Sequence, residues 1–167
     1  MRHYGLPTRL LDWTRSPLVA AFFALRSKPI KTPTIWAIDS SALNSYYKTV
    51  TPILILRDST PDDRLRAHLT DISNDSQEES LTLAVTPPEV DSRMLTQQSM
   101  FTIHGSMKPL QSTAIDKSYL VRIRLTKDGS KNILNALQIF GFEESVMFPD
   151  LAHLAEQLRK KYSWGGK

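Results

Sequence analysis

Between residues 9 and 14 the chain sets a guanidinium (Arg9), a carboxylate (Asp12), an indole (Trp13) and a hydroxyl (Thr14), with His3 just upstream and Ser16-Pro17 just after. Ser16-Pro17 reads as a helix start: serine is a good N-cap, and proline at the first helical position has no N–H to leave unpaired. The first turn of a helix carries free N–H groups and positive partial charge, which favour phosphate. Beside it, the Trp13 indole could stack on a base or a nicotinamide ring, although burial in a core is the commoner fate of tryptophan. Asp12 equally reads as a cap for this helix or as an ion-pair partner of Arg9. A second polar group lies in Arg93-Met94-Leu95-Thr96-Gln97-Gln98-Ser99-Met100-Phe101. A glutamine amide both donates and accepts, so Gln97 or Gln98 suits a sugar hydroxyl; either would equally solvate a loop.

Other chemistries are poorly supplied. The absence of cysteine excludes a disulfide framework, a thiolate nucleophile and a cysteine-type zinc site. His3, His68, His104 and His153 share no His-x-x-x-His spacing, so no metal is expected. Gly-x-Ser-x-Gly, Walker A and dinucleotide glycine patterns are all absent, and the glycines are too scattered to cradle phosphate. His104, at the end of a strand, reads as structural.

The elements that must hold these groups follow from periodicity. Leu18, Phe22 and Leu25, widened by Val19 and Phe23, predict a mostly buried helix after Ser16. Pro29 and Pro33 end it, and Thr34 to Asp39 predicts a strand. A short helix or turn is expected near Ser41 to Tyr46, a short strand or buried segment at Pro52 to Leu56, a helix from Thr60 to about Leu69, and a strand from Leu81 to Thr86. Residues 70–80 are polar with almost nothing to bury, which predicts a surface loop. Met100 to His104 predicts a strand closed by Gly105. Ser118 to Leu125 predicts a half-buried strand with Leu120, Ile123 and Leu125 inward. Asp128-Gly129 reads as a turn, with Ser130 capping a helix that buries Ile133, Leu134, Leu137 and Phe140 and ends at Gly141. Asp150 is expected to cap a last helix with Leu151, Leu154, Ala155, Leu158 and Tyr162 inward. The sum is an α+β chain of one domain, residues 1–167, with helices and short strands in irregular alternation.

Composition agrees with this reading. The chain is 41% hydrophobic and 23% charged, as a globular protein is, and its length suffices for a core. No apolar run approaches the roughly 20 residues that span a bilayer, and no signal-peptide pattern occurs, so a cytoplasmic protein without a membrane partner is expected. A formal charge of +4 allows a nucleotide or nucleic-acid ligand without demanding one. Part of that charge is the tail cluster Arg159, Lys160, Lys161 and Lys167, which suits the end of a helix.

The run His3-Tyr4-Gly5-Leu6-Pro7-Thr8-Arg9-Leu10-Leu11-Asp12-Trp13-Thr14, continued by Ser16-Pro17-Leu18-Val19-Ala20, resembles the FRG domain family. So do Trp36 to Asp39, the block Arg93…Gln98…Phe101-Thr102…His104, and Phe148-Pro149-Asp150-Leu151, so that the resemblance covers almost the whole chain. The family takes its name from a Phe/Tyr-Arg-Gly motif upstream of the His-x-Gly-Leu-Pro block. No such tripeptide occurs here, and the expectation is an N-terminally truncated member whose first strand would come from upstream sequence or from a partner chain. In motif order the chain is also similar to arginine-class ADP-ribosyltransferases. That similarity implies a split sheet of short mixed or antiparallel strands flanked by helices, NAD as cofactor, and a nicotinamide pocket lined by Thr14 and Trp13. Gln98, or Gln97, would stand where those enzymes have glutamate. It would orient the ribose but give less stabilisation to the positive charge of an oxocarbenium-like transition state. The catalytic candidates are then Gln98, Gln97 and Thr14, and the ligand-binding ones His3, Arg9, Asp12, Trp13, Ser16, Arg93 and Phe101. The function implied is that of a bacterial toxin or phage-defence effector, inactive alone without the upstream arginine. The alternative is a non-catalytic module that binds a nucleotide, nucleic acid or protein through Arg9, Asp12 and Trp13, so whether the chain is an enzyme stays open.

Overall fold

A computed structural model describes residues 9–26, 32–46, 54–55, 82–86, 92–105, 109–113 and 118–149, with Ala155, Leu158, Arg159 and Tyr162 beyond them. In chain order the described elements are β1 (Leu10–Thr14), α1 (Pro17–Arg26), β2 (Thr34–Ile38), α2 (Ser40–Tyr46), β3 (Leu54–Ile55), β4 (Thr82–Thr86), α3 (Ser92–Thr96), β5 (Ser99–His104), α4 (Leu110–Thr113), β6 (Leu120–Arg124), α5 (Lys127–Ile139) and α6 (Glu144–Met147). Helices and two small sheets make the α+β class expected from the sequence. The chain divides into two compact units. The first is Met1–Trp13, Trp36–Pro88 and Ser99–Ile123; the second is Thr14–Ile35, Glu89–Gln98 and Arg124–Lys167.

The first unit is built on β4. The sheet order is β1-β5-β4-β3. β4 runs antiparallel to β5, with Leu83 opposite Ile103 and Ala84 opposite Thr102, and parallel to β3, with Leu54 opposite Val85. Period two sends alternate side chains to opposite faces. Leu83, Val85 and Ile103 pack together on one face with Leu10 and Phe101 against them. Ala84 joins Leu43, Leu110, Tyr119 and Leu120, against which Trp13, Trp36 and Ile38 are partly buried. Apolar groups on both faces explain why Thr82 to Val85 are all buried. The side chain of Asn44, fully buried, bonds Ala84 as a neighbouring strand would. Its Oδ1 accepts from the Ala84 N–H at 2.8 Å and its Nδ2 donates to the Ala84 carbonyl at 3.1 Å. Asp39 caps α2, its Oδ1 accepting from the Ala42 N–H at 2.9 Å.

β2 pairs with β6 in a separate two-stranded sheet. The half-buried pattern expected along β6 does not hold. Leu120 is buried, but Val121 through Arg124, including Ile123, are exposed. Leu120 reaches the cluster around Leu43; the residues after it pass beyond that cluster.

In the second unit α1, α5 and α6 pack around Val19, Ala21, Phe22, Leu137, Met147 and Phe148. The expected cap on α1 is present, with Ser16 Oγ accepting from the Val19 N–H at 3.3 Å. The expected stripe is displaced: Leu18 and Phe23 are exposed while Val19, Ala21 and Phe22 are buried. A helix that is apolar nearly all round has no preferred face of its own, so its packing partners choose one.

α5 starts one turn earlier than its sequence suggests. Thr126, not Ser130, is the N-cap, and its Oγ1 accepts from the Gly129 N–H at 3.1 Å. Asp128-Gly129 is therefore the first helical turn, and Ser130 lies inside the helix with its Oγ donating to the Thr126 carbonyl at 2.7 Å. Of the predicted apolar face, Leu137 is buried and Ile133 packs beside it, whereas Leu134 and Phe140 are exposed. Phe140 is the C-cap, where the chain leaves the helix. Gly141 follows at φ +72° as expected. The Gly141 N–H bonds the Gln138 carbonyl at 3.1 Å and the Phe142 N–H bonds the Leu137 carbonyl at 2.8 Å, the pattern of a Schellman cap.

Near the end of the chain, Ala155, Leu158 and Tyr162 are exposed rather than inward. The expected helix at 60–69, the polar loop at 70–80, His3 and most of the last helix lie outside the described residues.

Candidate functional site

The second unit ties the end of β1 to the turn between α3 and β5. The Thr14 hydroxyl donates to the Gln97 carbonyl at 2.7 Å and accepts from the Ser16 N–H at 3.0 Å, and the Arg15 N–H donates to the Gln98 carbonyl at 3.1 Å. The Gln97 N–H returns to the Arg93 carbonyl at 2.9 Å and the Gln98 N–H to the Leu95 carbonyl at 3.0 Å. Gln98 adopts φ +48°, a left-handed conformation that costs a non-glycine residue about 1–2 kcal/mol. The hydrogen bonds on both sides of it hold that conformation in place.

The two glutamines then separate in role. The Gln97 amide Nε2 donates to the Met147 carbonyl at 2.8 Å, answering a carbonyl at the end of α6 that lacks an intrahelical partner. Gln98 is exposed, so its side chain is the one that solvent and ligands reach. The start of α1 offers little to an anion. The Ser16 N–H goes to Thr14 and the Val19 N–H to Ser16 Oγ, and Pro17 has none.

Positive charge in this unit sits elsewhere. The guanidinium carbon of Arg26 lies 4.3 Å from the centre of the Phe148 ring and that of Arg93 lies 4.5 Å from it. Phe148 is buried, and Phe23 meets it edge-on at 5.9 Å. Cations over an aromatic ring are drawn to its negative face. Arg26 also pairs with Glu144, Nε to Oε1, at 3.0 Å; both side chains are about one-third exposed, and such a pair contributes little to stability. Arg93 differs. Its Nε is buried without a hydrogen-bond partner, a state that costs about 1–3 kcal/mol or more for a charged donor.

In the first unit Trp13 is held by its polar edge. Its Nε1 donates to Thr102 Oγ1 at 2.9 Å, and Thr102 Oγ1 lies 2.8 Å from His104 Nε2. Thr102 is buried, so this chain of bonds satisfies the indole N–H inside the fold. The His104 N–H donates to the Arg9 carbonyl at 2.9 Å, and the Arg9 guanidinium donates to the Gly105 carbonyl at 3.3 Å. Phe101 is partly buried and packs against Leu83, Val85 and Ile103, and Asp12 is exposed in mid-strand, the cap on α1 being Ser16.

Within the second unit the fold thus brings together Thr14, Gln97 and Gln98, with Arg93 one turn earlier on α3. Within the first it brings together Arg9 and Trp13 with His104. A cavity of about 250 Å³ lies in the second unit against Phe22, Leu134, Leu137 and Phe142; it is mainly apolar, and none of the candidate residues lines it. Among the described residues no group of His, Asp and Glu could hold a metal ion, and no helix is long and apolar enough to cross a membrane. Sequence reasoning missed Arg26, Phe148 and Thr102 as partners, because nothing local marks a contact between residues so far apart in the chain.

Comparison with known proteins adds one finding. The family model of the FRG domain matches residues 1–32. The chain is thus similar to the FRG domain over that stretch. The FRG-like stretch includes Arg9 to Ser16 and α1, while Trp36 to Asp39, the Arg93 to His104 block and Phe148 to Leu151 lie outside it. No curated protein and no solved structure matches the chain.

Proposed function

We propose that this chain, similar to the FRG domain over residues 1–32, binds NAD in the manner of ADP-ribosyltransferase-like domains, with Gln98 as the residue that contacts the ribose. The observation that supports the reading is the pair of bonds from Thr14 to the Gln97 carbonyl and from Arg15 to the Gln98 carbonyl. They join the strand end that leads into a capped helix to the glutamine turn that leads into a strand, the order of the second and third elements in those enzymes. The residues fit the ligand: Gln98 presents an exposed amide able to donate to and accept from a hydroxyl, and Arg93 offers a guanidinium that no carboxylate pairs among the described residues. NAD supplies a nicotinamide–ribose bond whose cleavage releases nicotinamide and leaves C1′ open to an acceptor nucleophile. Thr14 is a positioning residue on this reading, since its hydroxyl proton is committed to the Gln97 carbonyl. The cellular setting proposed is the bacterial cytoplasm, where such a domain acts as a toxin or defence effector by consuming NAD or modifying a target.

Titration calorimetry of the full chain with NAD, alongside an assay of released nicotinamide, tests the proposal. Binding heat is expected for the wild type and its loss for Gln98→Ala. Gln98→Glu is expected to raise nicotinamide release, because a carboxylate stabilises positive charge at the ribose that an amide does not. Absence of NAD binding in both wild type and Gln98→Glu ends this reading. The neutral amide favours a second reading, a nucleotide-binding module without turnover. Binding heat with no nicotinamide release from either protein selects it.

A further inference from the structure

We propose that Arg93 and Arg26, stacked on the shared Phe148 ring, form a binding site for a diphosphate. Three observations in the second unit carry this. First, both guanidinium carbons lie within 4.5 Å of one ring centre, so two cations are gathered at a single residue and are no farther apart than the sum of those two distances. Second, their charge is only partly answered. Glu144 pairs with Arg26 at 3.0 Å, while among the described residues no carboxylate pairs with Arg93. Third, Arg93 Nε is buried without a hydrogen-bond partner, so the guanidinium carries an unmet hydrogen-bonding demand of the kind an oxyanion answers.

The stacking explains how two like charges are held at one residue. The ring face attracts each cation and the buried Phe148 fixes where each one stands. α3 holds Arg93 one turn before Gln97, whose N–H bonds the Arg93 carbonyl, so the site and the Gln98 turn share one short segment. This inference deepens the NAD reading by giving the dinucleotide's diphosphate its partner, and to that extent rests on it. The oxyanion chemistry holds for free pyrophosphate as well.

Calorimetric titration of the full chain with inorganic pyrophosphate at low ionic strength, repeated with ADP-ribose and NAD, tests it. Wild type is expected to bind pyrophosphate. Arg93→Ala should weaken binding on the order of tenfold or more, and Arg93→Lys should recover only part, since lysine keeps the charge but loses the fork. Glu144→Gln should tighten it, because the carboxylate that answers Arg26 is gone. Unchanged affinity in Arg93→Ala overturns the inference, as does a wild type that takes up no pyrophosphate. If Arg93→Ala fails to fold, the opposite shifts of Arg93→Lys and Glu144→Gln decide the matter. Pyrophosphate binding without any NAD heat keeps this site and removes the dinucleotide reading. NAD binding that is indifferent to Arg93→Ala does the reverse. A short RNA that binds through Arg93 while pyrophosphate does not also overturns the proposal.

Discussion

The hydroxyl of Thr102 has one proton and two lone pairs, and two aromatic rings make use of them. The indole of Trp13 can only donate, so it takes a lone pair at 2.9 Å; His104 Nε2, at 2.8 Å, takes the proton or a second lone pair according to its tautomer. Because Thr102 is 1% exposed, water cannot replace it. Thr102→Val keeps the shape and leaves the half-buried indole N–H without its acceptor, which should cost about 1–3 kcal/mol. Urea unfolding should show an earlier midpoint with an unchanged slope, and Thr102→Ser, which retains the hydroxyl, should lose only about 1 kcal/mol for its missing methyl. Equal losses in the two variants would refute the role given to the hydroxyl. Trp13 itself was open to two readings in the sequence, a stacking surface or a core residue. Its parity along β1 could not decide, because the acceptor lies on β5.

At the level of elements the same limit shows in α5. Asp128-Gly129 carries turn chemistry that hides the helix start, yet Thr126 precedes it at the spacing of an N-cap whose side chain reaches the third helical N–H. Glycine is normally a poor helix residue, and alanine there normally gains about 0.5–1 kcal/mol. Gly129 is an exception, since a Cβ at this position would meet Thr126 Oγ1 at 2.9 Å. Gly129→Ala should therefore bring no gain in the wild-type background. Thr126→Ala should cost about 1 kcal/mol through the lost cap, and in that background Gly129→Ala should stabilise by about 0.5–1 kcal/mol. The double-mutant cycle reads this coupling from chemical denaturation; additive effects would remove it. The helix end was legible, by contrast, because Gly141 at φ +72° and the Schellman bonds depend on local sequence alone. The buried faces of α1 and β6 were not legible, since tertiary partners chose Val19 over Leu18 and left Ile123 exposed. The candidate site divides the same way. The polar types at Thr14 and Gln97-Gln98 and the cap at Ser16 could be read directly, whereas the Arg26, Arg93 and Phe148 cluster joins three separate stretches of chain.

For the whole molecule, connectivity constrains how it unfolds. Each compact unit is assembled from three stretches of chain, and the stretches alternate between the units along the sequence. Neither unit is a continuous segment that could close its contacts without ordering the chain that passes through the other. Each would otherwise carry the closure entropy of long loops unsupported. One cooperative transition is therefore expected, with calorimetric and van't Hoff enthalpies in agreement, and two resolved peaks would contradict it. This makes ligand linkage readable as a single number. A ligand held by the Gln98 turn at a free concentration of 100 times its dissociation constant stabilises the folded chain by about 2.7 kcal/mol. For a chain of 167 residues that should raise the midpoint by roughly 5–10 °C. Gln98→Ala, measured at the same NAD concentration, should show little of that rise while melting close to the wild type without ligand. An equal rise in both proteins would place the NAD contact away from Gln98, even if calorimetric binding to the wild type is strong.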